Sequence, residues 1–494
     1  MICVSIGHAH HEAMVAEHRS LAERGATLVE LRLDYLEEAP DLSRLLEDRP
    51  TATIVTCRRQ DDGGRWQFSA EQRLALLRAA IDHQVEYVDM EKDIAGQIPR
   101  SGKTRRIVSH HDFDETPDRL EEIHAEMCRL DPDIVKLVTM ADTPSDMVRI
   151  LKIVEASEVP TVGFCMGEFG LPSRILCGKY GAPFTYAAAS SDRGVAPGQL
   201  SFDDMQKVYH FDDLDSETQV FGVLGDPIAH SMSPLIHNAA FRHEGLNAVY
   251  VPLRVPTDVF SETLDDYEWL RFQGYSVTIP HKQAVIAKAD HCDEPVQDSG
   301  AANTLFRDES GDWQATNTDY QAALQSLQIG LQNLFGDPSL QGRRLLMLGA
   351  GGVARAIGMA VLREGADLTI ANRTHSRAVA LSEQLGCQLV PWEDRGAVEA
   401  EILVNCTAVG MSPNVERTPY EGDWLGEGML VFDTIYNPES TLLLQQAGER
   451  GCQTINGVEM FVRQAARQFE LFTRRSAPIE LMRETVRRRI SSGS

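Results

Sequence analysis

Lys136 stands in the run Asp-Ile-Val-Lys-Leu-Val-Thr, flanked by apolar residues on both sides. A lysine buried in such a strand loses hydration, which lowers its pKa, and a neutral amine attacks a ketone to form an imine. A structural ion pair is the competing reading of the same residue, because buried pairs also perturb pKa values. The neighbouring motifs bear on the choice. Glu30, Arg32 and Asp34 alternate in VELRLD, so along a strand they leave one face while Leu31 and Leu33 leave the other. Packing alone does not call for three charges there. Arg58 closes TATIVTCR, Glu91 closes EYVDME, and His110 and His111 close RIVSHH. A lysine, arginines, carboxylates and a histidine able to carry protons near neutral pH describe imine chemistry on an anionic ketone. His110, taken alone, also reads as an ordinary surface histidine.

A second constellation lies in the other half. Gly349, Ala350, Gly351, Gly352, Val353 and Ala354 follow LLML and open a helical pattern, the context of a dinucleotide-binding turn. Glycine permits the tight turn, and the helix N-terminus faces a pyrophosphate. The following strand, DLTIA, ends in Asn372, Arg373 and Thr374, with no carboxylate for a ribose diol. A guanidinium there fits the 2′-phosphate of NADP. Lys282 in VTIPHK and Asp319 in NTDY stand where strands end. Such a pair can deliver a proton as hydride reaches a ketone. Ser233 before Pro234 reads as a helix N-cap, which leaves Ser231 unexplained.

These residues need elements to hold them. Eight β-rich runs alternate with helical patterns: Ile2–Ile6, Thr27–Leu33, Ala52–Cys57, Glu86–Met90, Arg105–His110, Asp133–Thr139, Pro160–Cys165 and Phe184–Ala189. Alternating βα units predict a parallel sheet, and this number fits a (β/α)8 barrel. An open doubly wound sheet is the alternative, but polar residues cluster at the ends of many strands, as a barrel requires. One further helical stretch and the acidic segment 210–219 lead, as a linker, into a second α/β region with strands Val220–Leu224 and Val249–Leu253. A Rossmann-type region follows from the strand LLMLG to Leu430–Ile435, and basic helices at Glu459–Arg474 and Ile479–Ile490 end the sequence. The expected domains are 1–209, 220–320 together with 457–490, and 321–456.

With 494 residues, several cores are expected. A formal charge of −26 argues against a nucleic-acid partner, since such a surface repels a polyanion on average, and anionic substrates must meet locally placed cations. Nine cysteines without a CxxC pair read as reduced thiols, and MICVSIGHAHHEA is not a signal peptide. No apolar run is long enough for a membrane span. The expectation is a cytoplasmic enzyme with small-molecule substrates and no metal. Oligomeric state is not legible.

The stretch 1–205, through VELRLD, TCR, VDME, SHHDF, the strand lysine, Ser173-Arg174 and APGQ, resembles the type I dehydroquinate dehydratases. The resemblance implies Lys136 as Schiff-base residue, His111 as general acid/base, Glu91 orienting it, and Arg174 binding the substrate carboxylate. It also implies that Glu30, Arg32, Arg58 and Gln199 line the site. Val195 departs from a hydroxyl residue of the bacterial pattern, and the family's usual N-terminal hairpin is missing, so another element is expected to cover the barrel floor.

GDPIAHSMSP, VTIPHK, AANTL, NTDY, GAGGVARA, NRT, NCTAVGM and YNP, over 220–490, resemble shikimate dehydrogenase. By that resemblance Lys282 and Asp319 are the catalytic pair, and Ser231, Ser233, Thr278, Asn303, Tyr436 and Gln464 hold the substrate. The glycine turn with Asn372, Arg373, Thr374, Thr407 and Gly410 holds NADP. Ser276 departs from the asparagine of single-domain enzymes and resembles fused ones, while Tyr320 departs from a glycine and is expected to reshape the pocket floor. The implied chemistry converts dehydroquinate to dehydroshikimate, then reduces that to shikimate. A class I aldolase-type lyase shares the lysine but leaves Arg174 and the charged trio unexplained. A degenerate acid-sensing module would have lost an acid, base or nucleophile, and neither half has.

Overall fold

The computed structural model describes residues 1–190, 194, 196–229 and 231–492. The chain forms two compact units, Met1–Ser231 with Leu246–Phe272, and Met232–Gly245 with Gln273–Ser494.

In the first unit eight parallel strands run in chain order: β1 (Ile2–Ile6), β2 (Leu28–Arg32), β3 (Ala52–Thr56), β4 (Tyr87–Glu91), β5 (Arg105–His111), β6 (Ile134–Met140), β7 (Thr161–Met166) and β8 (Thr185–Ala188). Their order is 7-6-5-4-3-2-1-8, a near-closed barrel in which, among the described residues, no ladder joins β7 to β8. The expected barrel, and not the open sheet, is therefore formed. Its strand pairing fixes which side chains share the interior. Ser5 lies opposite Glu30, Ser109 opposite Lys136, and Thr56 opposite Asp89, so these polar groups point to one side of the sheet. On the same strands and the same face, two residues earlier, stand Cys3, Leu28, Ile54, Tyr87, Ile107 and Ile134, which form an apolar core. The barrel is thus filled by hydrophobic side chains beneath a charged layer at the strands' C-terminal ends, the face where barrel enzymes place their sites.

Two expectations change here. The strand read as ending at Leu33 stops at Arg32, and Asp34 enters a 3-10 turn. The segment 210–219 is also not a purely solvated linker. Phe211 is buried, and a Cβ on Gly178 would fall 2.9 Å from its ring, so a single aromatic anchors an otherwise acidic stretch.

The same unit contains the parallel pair β9 (Gln219–Gly225) and β10 (Ala248–Arg254). Arg254 on β10 pairs with Asp226 at 2.8 Å and Glu168 at 2.5 Å, and Tyr180 stacks on Trp269 with ring centres 4.8 Å apart. The boundary between compact units therefore falls inside the region 220–320.

The second unit holds β11 (Phe272–Val277) from its second residue onward, with β12 (His291–Cys292), β13 (Thr304–Arg307) and β14 (Trp313–Thr316). β13 pairs antiparallel with both β11 and β14, and β14 pairs parallel with β12. The remaining strands, β15 (Arg344–Leu348), β16 (Asp367–Ala371), β17 (Gln388–Leu389), β18 (Ile402–Asn405), β19 (Leu430–Asp433) and β20 (Gln453–Ile455), form a parallel sheet in the order 17-16-15-18-19-20. The order reverses between β15 and β18, the switch point at which such folds bind dinucleotides. Leu327, Leu331, Met347, Ile357, Ile402 and Phe432 form its core with the flanking helices. Among the described residues no helix is long and apolar enough to cross a membrane.

Candidate active sites

One cavity opens at the C-terminal ends of the barrel strands. It is lined by Glu30, Arg32, Arg58, His111, Lys136, Arg174 and Gln199, the residues read from the sequence apart from Glu91. Ser5, Asp62, Phe113, Phe164, Met166 and Tyr186 also line it, and sequence reasoning missed them. Their signal was weak: Ser5, Phe164 and Tyr186 sit on strands as ordinary alternating residues, and Asp62 ends a short 3-10 turn after β3. Val195 lies outside the described residues.

Lys136 is 5% exposed, and the structure shows it ion-paired inside the barrel. Its Nζ donates to Asp89 Oδ2 at 3.0 Å and Glu30 Oε1 at 3.4 Å, and lies 3.9 Å from the centre of the Tyr186 ring. Glu30 is held from both sides, accepting from Ser5 Oγ and Thr56 Oγ1, each at 2.8 Å. Asp89 accepts from Arg58 at 2.9 Å and from Ser109 Oγ at 2.6 Å. Burial would raise the Asp89 carboxyl, but Arg58, then Lys136, outweigh it and hold Asp89 far below the usual carboxylate range.

Glu91 requires a correction. Its two oxygens accept from Arg58 at 3.3 Å and Arg73 at 3.0 Å, and burial is the main cause raising its carboxyl. It does not line the cavity, and it is Asp89 whose charge acts on His111. The two carboxylates of VDME stand on one face of β4, one turn of the pleat apart, and spacing does not tell them apart.

Burial, with the charges of Arg58 and Lys136, pushes the His111 imidazole well below its ordinary value. Burial there favours the uncharged imidazole. Its Nδ1 is buried without a hydrogen-bond partner among the described residues. His110 points from the opposite face of β5 and does not line the cavity. Of the charged trio, Glu30 and Arg32 face the cavity, whereas Asp34 holds Arg32 by two bonds of 2.9 and 2.8 Å.

Arg174 is 1% exposed and faces the cavity. One nitrogen donates to Pro197 O at 3.0 Å, its Nε has no partner, and no carboxylate pairs with it among the described residues. Burial pushes its guanidinium down to about 10. An uncompensated buried cation costs several kcal/mol, on the order of the cost of breaking a buried ion pair, and an anionic ligand would relieve it.

In the second unit Lys282 Nζ donates to Asp319 Oδ2 at 2.5 Å. Lys282 follows β11 in a turn, and Asp319 is in the first turn of the helix Thr318–Phe335, whose N-terminal dipole favours a carboxylate. Asn303 fixes that helix start: its Oδ1 accepts from Thr318 N at 2.8 Å and its Nδ2 donates to Thr318 Oγ1 at 3.0 Å. Gln464 donates to Phe461 O at 3.0 Å, and Tyr436 stacks on Phe461 at 4.8 Å. Thr278 is half-buried beyond the end of β11. Ser231 belongs to the first unit and the other substrate residues to the second. Ser233 does not cap its helix, since Met232 occupies the N-cap and Ser233 is already helical. Ser276 donates to Gln468 Oε1 at 2.7 Å, and Gln468 Nε2 bonds Asn303 O at 3.1 Å, a link that sequence reasoning missed. Tyr320 is mostly buried, and Glu364 and Glu294 add to the burial that raises its phenol.

The dinucleotide turn fits its cofactor. Gly349 has φ +115, a conformation that side chains rarely adopt, and a Cβ there would fall 2.9 Å from Cys406 O. A Cβ on Gly351 or Gly352 would meet nothing, so the start of the helix Gly352–Arg363 is open to a pyrophosphate. Arg373 and Thr374 are exposed and Asn372 half-buried at the end of β16, where no acidic residue stands. Thr407 and Gly410 follow β18 across the switch point.

The class of protein is thereby defined: a lysine-centred barrel of the lyase type joined to an NADP-type dehydrogenase. A family model for type I 3-dehydroquinase matches residues 2–216. Models for the shikimate dehydrogenase substrate-binding domain match 223–305, for shikimate/quinate 5-dehydrogenase 331–417, and for the shikimate 5-dehydrogenase C-terminal domain 457–487. The bifunctional 3-dehydroquinate dehydratase/shikimate dehydrogenase of Arabidopsis thaliana, a chloroplastic protein, is 37% identical over 97% of this chain and 83% of its own length. The shikimate dehydrogenase (NADP(+)) of Methanosarcina mazei is 38% identical over 54% of this chain and 97% of its own. A solved shikimate dehydrogenase in complex with NADP+ superimposes with TM-score 0.50 and 33% identity over 56% of this chain and 96% of its own. The chain belongs to the family of bifunctional 3-dehydroquinate dehydratase/shikimate dehydrogenases.

Proposed function

We propose that the two activities of this shikimate-pathway enzyme are carried by the residues named above, with NADP serving the second. In the barrel, Arg174 takes the carboxylate of dehydroquinate and places its ketone against Lys136. The amine adds to the carbonyl and water leaves, giving an imine. As an iminium this draws electrons from the adjacent carbon, whose proton passes to the neutral His111. The β-hydroxyl then departs as water with a proton returned by His111, and hydrolysis of the imine releases dehydroshikimate. Asp89 and Glu30 position the lysine and balance the positive charge. The buried cation at Arg174, facing the same cavity as Lys136 and lacking a carboxylate, is the observation that carries this reading. The aldolase-type reading shares the lysine but does not by itself explain this cation.

In the dehydrogenase, Lys282 gives a proton to the ketone oxygen of dehydroshikimate and Asp319 holds the lysine in place. Bound NADPH supplies the hydride. Ser233, Thr278, Asn303, Tyr436 and Gln464 orient the ring, and the glycine turn with Arg373 holds the nucleotide. The working domains are 1–209, 220–320 with 457–490, and 321–456. The nine cysteines, all free, support a reducing compartment, and we place the enzyme in the cytoplasm. The net charge argues against a nucleic-acid partner.

The test supplies dehydroquinate and NADPH together. The expected outcome is consumption of both without another enzyme, borohydride trapping of a ligand adduct on Lys136, and loss of dehydration alone in Lys136→Ala. An intact mass without adduct, or loss of both activities in folded Lys136→Ala, contradicts the assignment.

A further inference from the structure

Asp433 ends β19 with 0% exposure and no cationic partner among the described residues. Its carboxylate instead gathers neutral donors from separate segments. Oδ1 accepts from Asn405 Nδ2 at 3.0 Å and from Ile435 N at 3.1 Å, and Oδ2 accepts from Thr441 Oγ1 at 2.6 Å. Asn405 ends the neighbouring strand, directly opposite Asp433 in the ladder. With Nδ2 committed to Asp433, its Oδ1 turns to Thr407, accepting from the backbone N at 2.9 Å and from Oγ1 at 2.7 Å. Thr407 Oγ1 in turn accepts from Val409 N at 3.2 Å. This is the loop assigned to the nucleotide. On the other side, Ile435 precedes Tyr436, assigned to the substrate ring, and Ser412 N donates to Asn437 O at 3.1 Å between the two loops.

We propose that Asp433 is a positioning residue for the dehydrogenase, holding the cofactor loop 407–410 and the substrate residue Tyr436 in one fixed register. The proposal rests on the assignment of those two loops under the function above. It touches neither ligand. A carboxylate suits the task because both its oxygens only accept, so donors from β18, from the chain after β19 and from the start of the helix Leu442–Glu449 converge on one side chain. A neutral side chain would avoid the cost of burying a charge, which here raises the Asp433 carboxyl to about 6. Asparagine keeps Oδ1 for Asn405 and Ile435, and the Thr441 hydroxyl can rotate to accept from the amide.

The experiment compares the full-length enzyme with Asp433→Ala and Asp433→Asn, assaying NADP-dependent shikimate oxidation, with dehydroquinate dehydration as a check on the barrel and the thermal midpoint of the dehydrogenase as its folding control. The expected result for Asp433→Ala is a rise of about tenfold in KM for both NADP and shikimate, with kcat changed less and dehydration unchanged. Asp433→Asn should stay within about threefold of the parent for both constants. A rise in only one KM, or a fall in kcat alone with both KM values unchanged, overturns the coupling. If the parent enzyme itself fails to oxidise shikimate with NADP, the functional reading falls and this proposal falls with it, whereas a parent that is active beside an Asp433→Ala enzyme with both KM values unchanged overturns the proposal alone.

Discussion

At the scale of single residues, Arg174 and His111 show how burial prepares a site before its ligand arrives. Arg174 is a cation stripped of water and given no anion, so the apo-enzyme bears a cost that binding removes. Arg174→Met should therefore raise the thermal midpoint of the ligand-free barrel while raising KM for dehydroquinate by roughly 10²-fold, a charged hydrogen bond being worth about 1.5–3 kcal/mol. Calorimetry and steady-state kinetics on the same preparation check both halves. A variant that is less stable and still binds normally contradicts the role. His111 supplies the pH signature. Its imidazole is pushed down by burial and then by Arg58 and Lys136, so the unprotonated base persists below the ordinary histidine range. The acid limb of kcat/KM for dehydration should accordingly fall below pH 6.5, and a limb at or above that value would show that the base is not this residue.

At the scale of elements, the loop after β3 shows how backbone shape serves the charged layer. A Cβ on Gly64 would stand 2.1 Å from Arg58 O, and the opposing group is backbone, so it cannot swing aside. Arg58 in turn holds Asp89 and Glu91. Gly64→Ala should displace Arg58, cost about 1–3 kcal/mol of barrel stability and lower dehydration while leaving shikimate oxidation intact. Parallel unfolding and activity measurements decide it. Equal losses in both activities would place the damage elsewhere.

At the scale of the whole molecule, buried titratable groups give the second unit an expected dependence of stability on pH. His237 has 0% exposure, and burial lowers its imidazole to about 3. An unfolded histidine takes up a proton near 6.5, so the stability held by neutral His237 is present above that pH and is lost as pH falls toward 3. The difference, 6.5 minus about 3, corresponds to roughly 5 kcal/mol. Asp433 works in the opposite sense, since its raised carboxyl relieves strain as pH falls through about 6. His237→Asn should flatten acid unfolding of the dehydrogenase, followed by loss of shikimate oxidation after acid exposure. An unchanged acid midpoint would show that His237 already protonates in the folded state.

The sequence by itself determined the local matters: the alternation that makes eight strands and a nucleotide fold, the lysine in an apolar strand, the glycine turn, and the absence of an acidic residue in Asn372-Arg373-Thr374 after β16. Those depend on periodicity and on residue type, which are written along the chain. Tertiary structure decided which charges meet. Glu91 and Asp89 are equivalent on β4 until Arg58 and Arg73 arrive from other elements and claim Glu91. Asp34 looks like a third strand residue until the strand ends before it, and Phe211 looks like linker until Gly178 makes room for its ring. Asp433, Gln468 and Tyr186 carried no motif at all, because a side chain's partner across a fold is set by strand order and register, and these emerge only when distant segments pack.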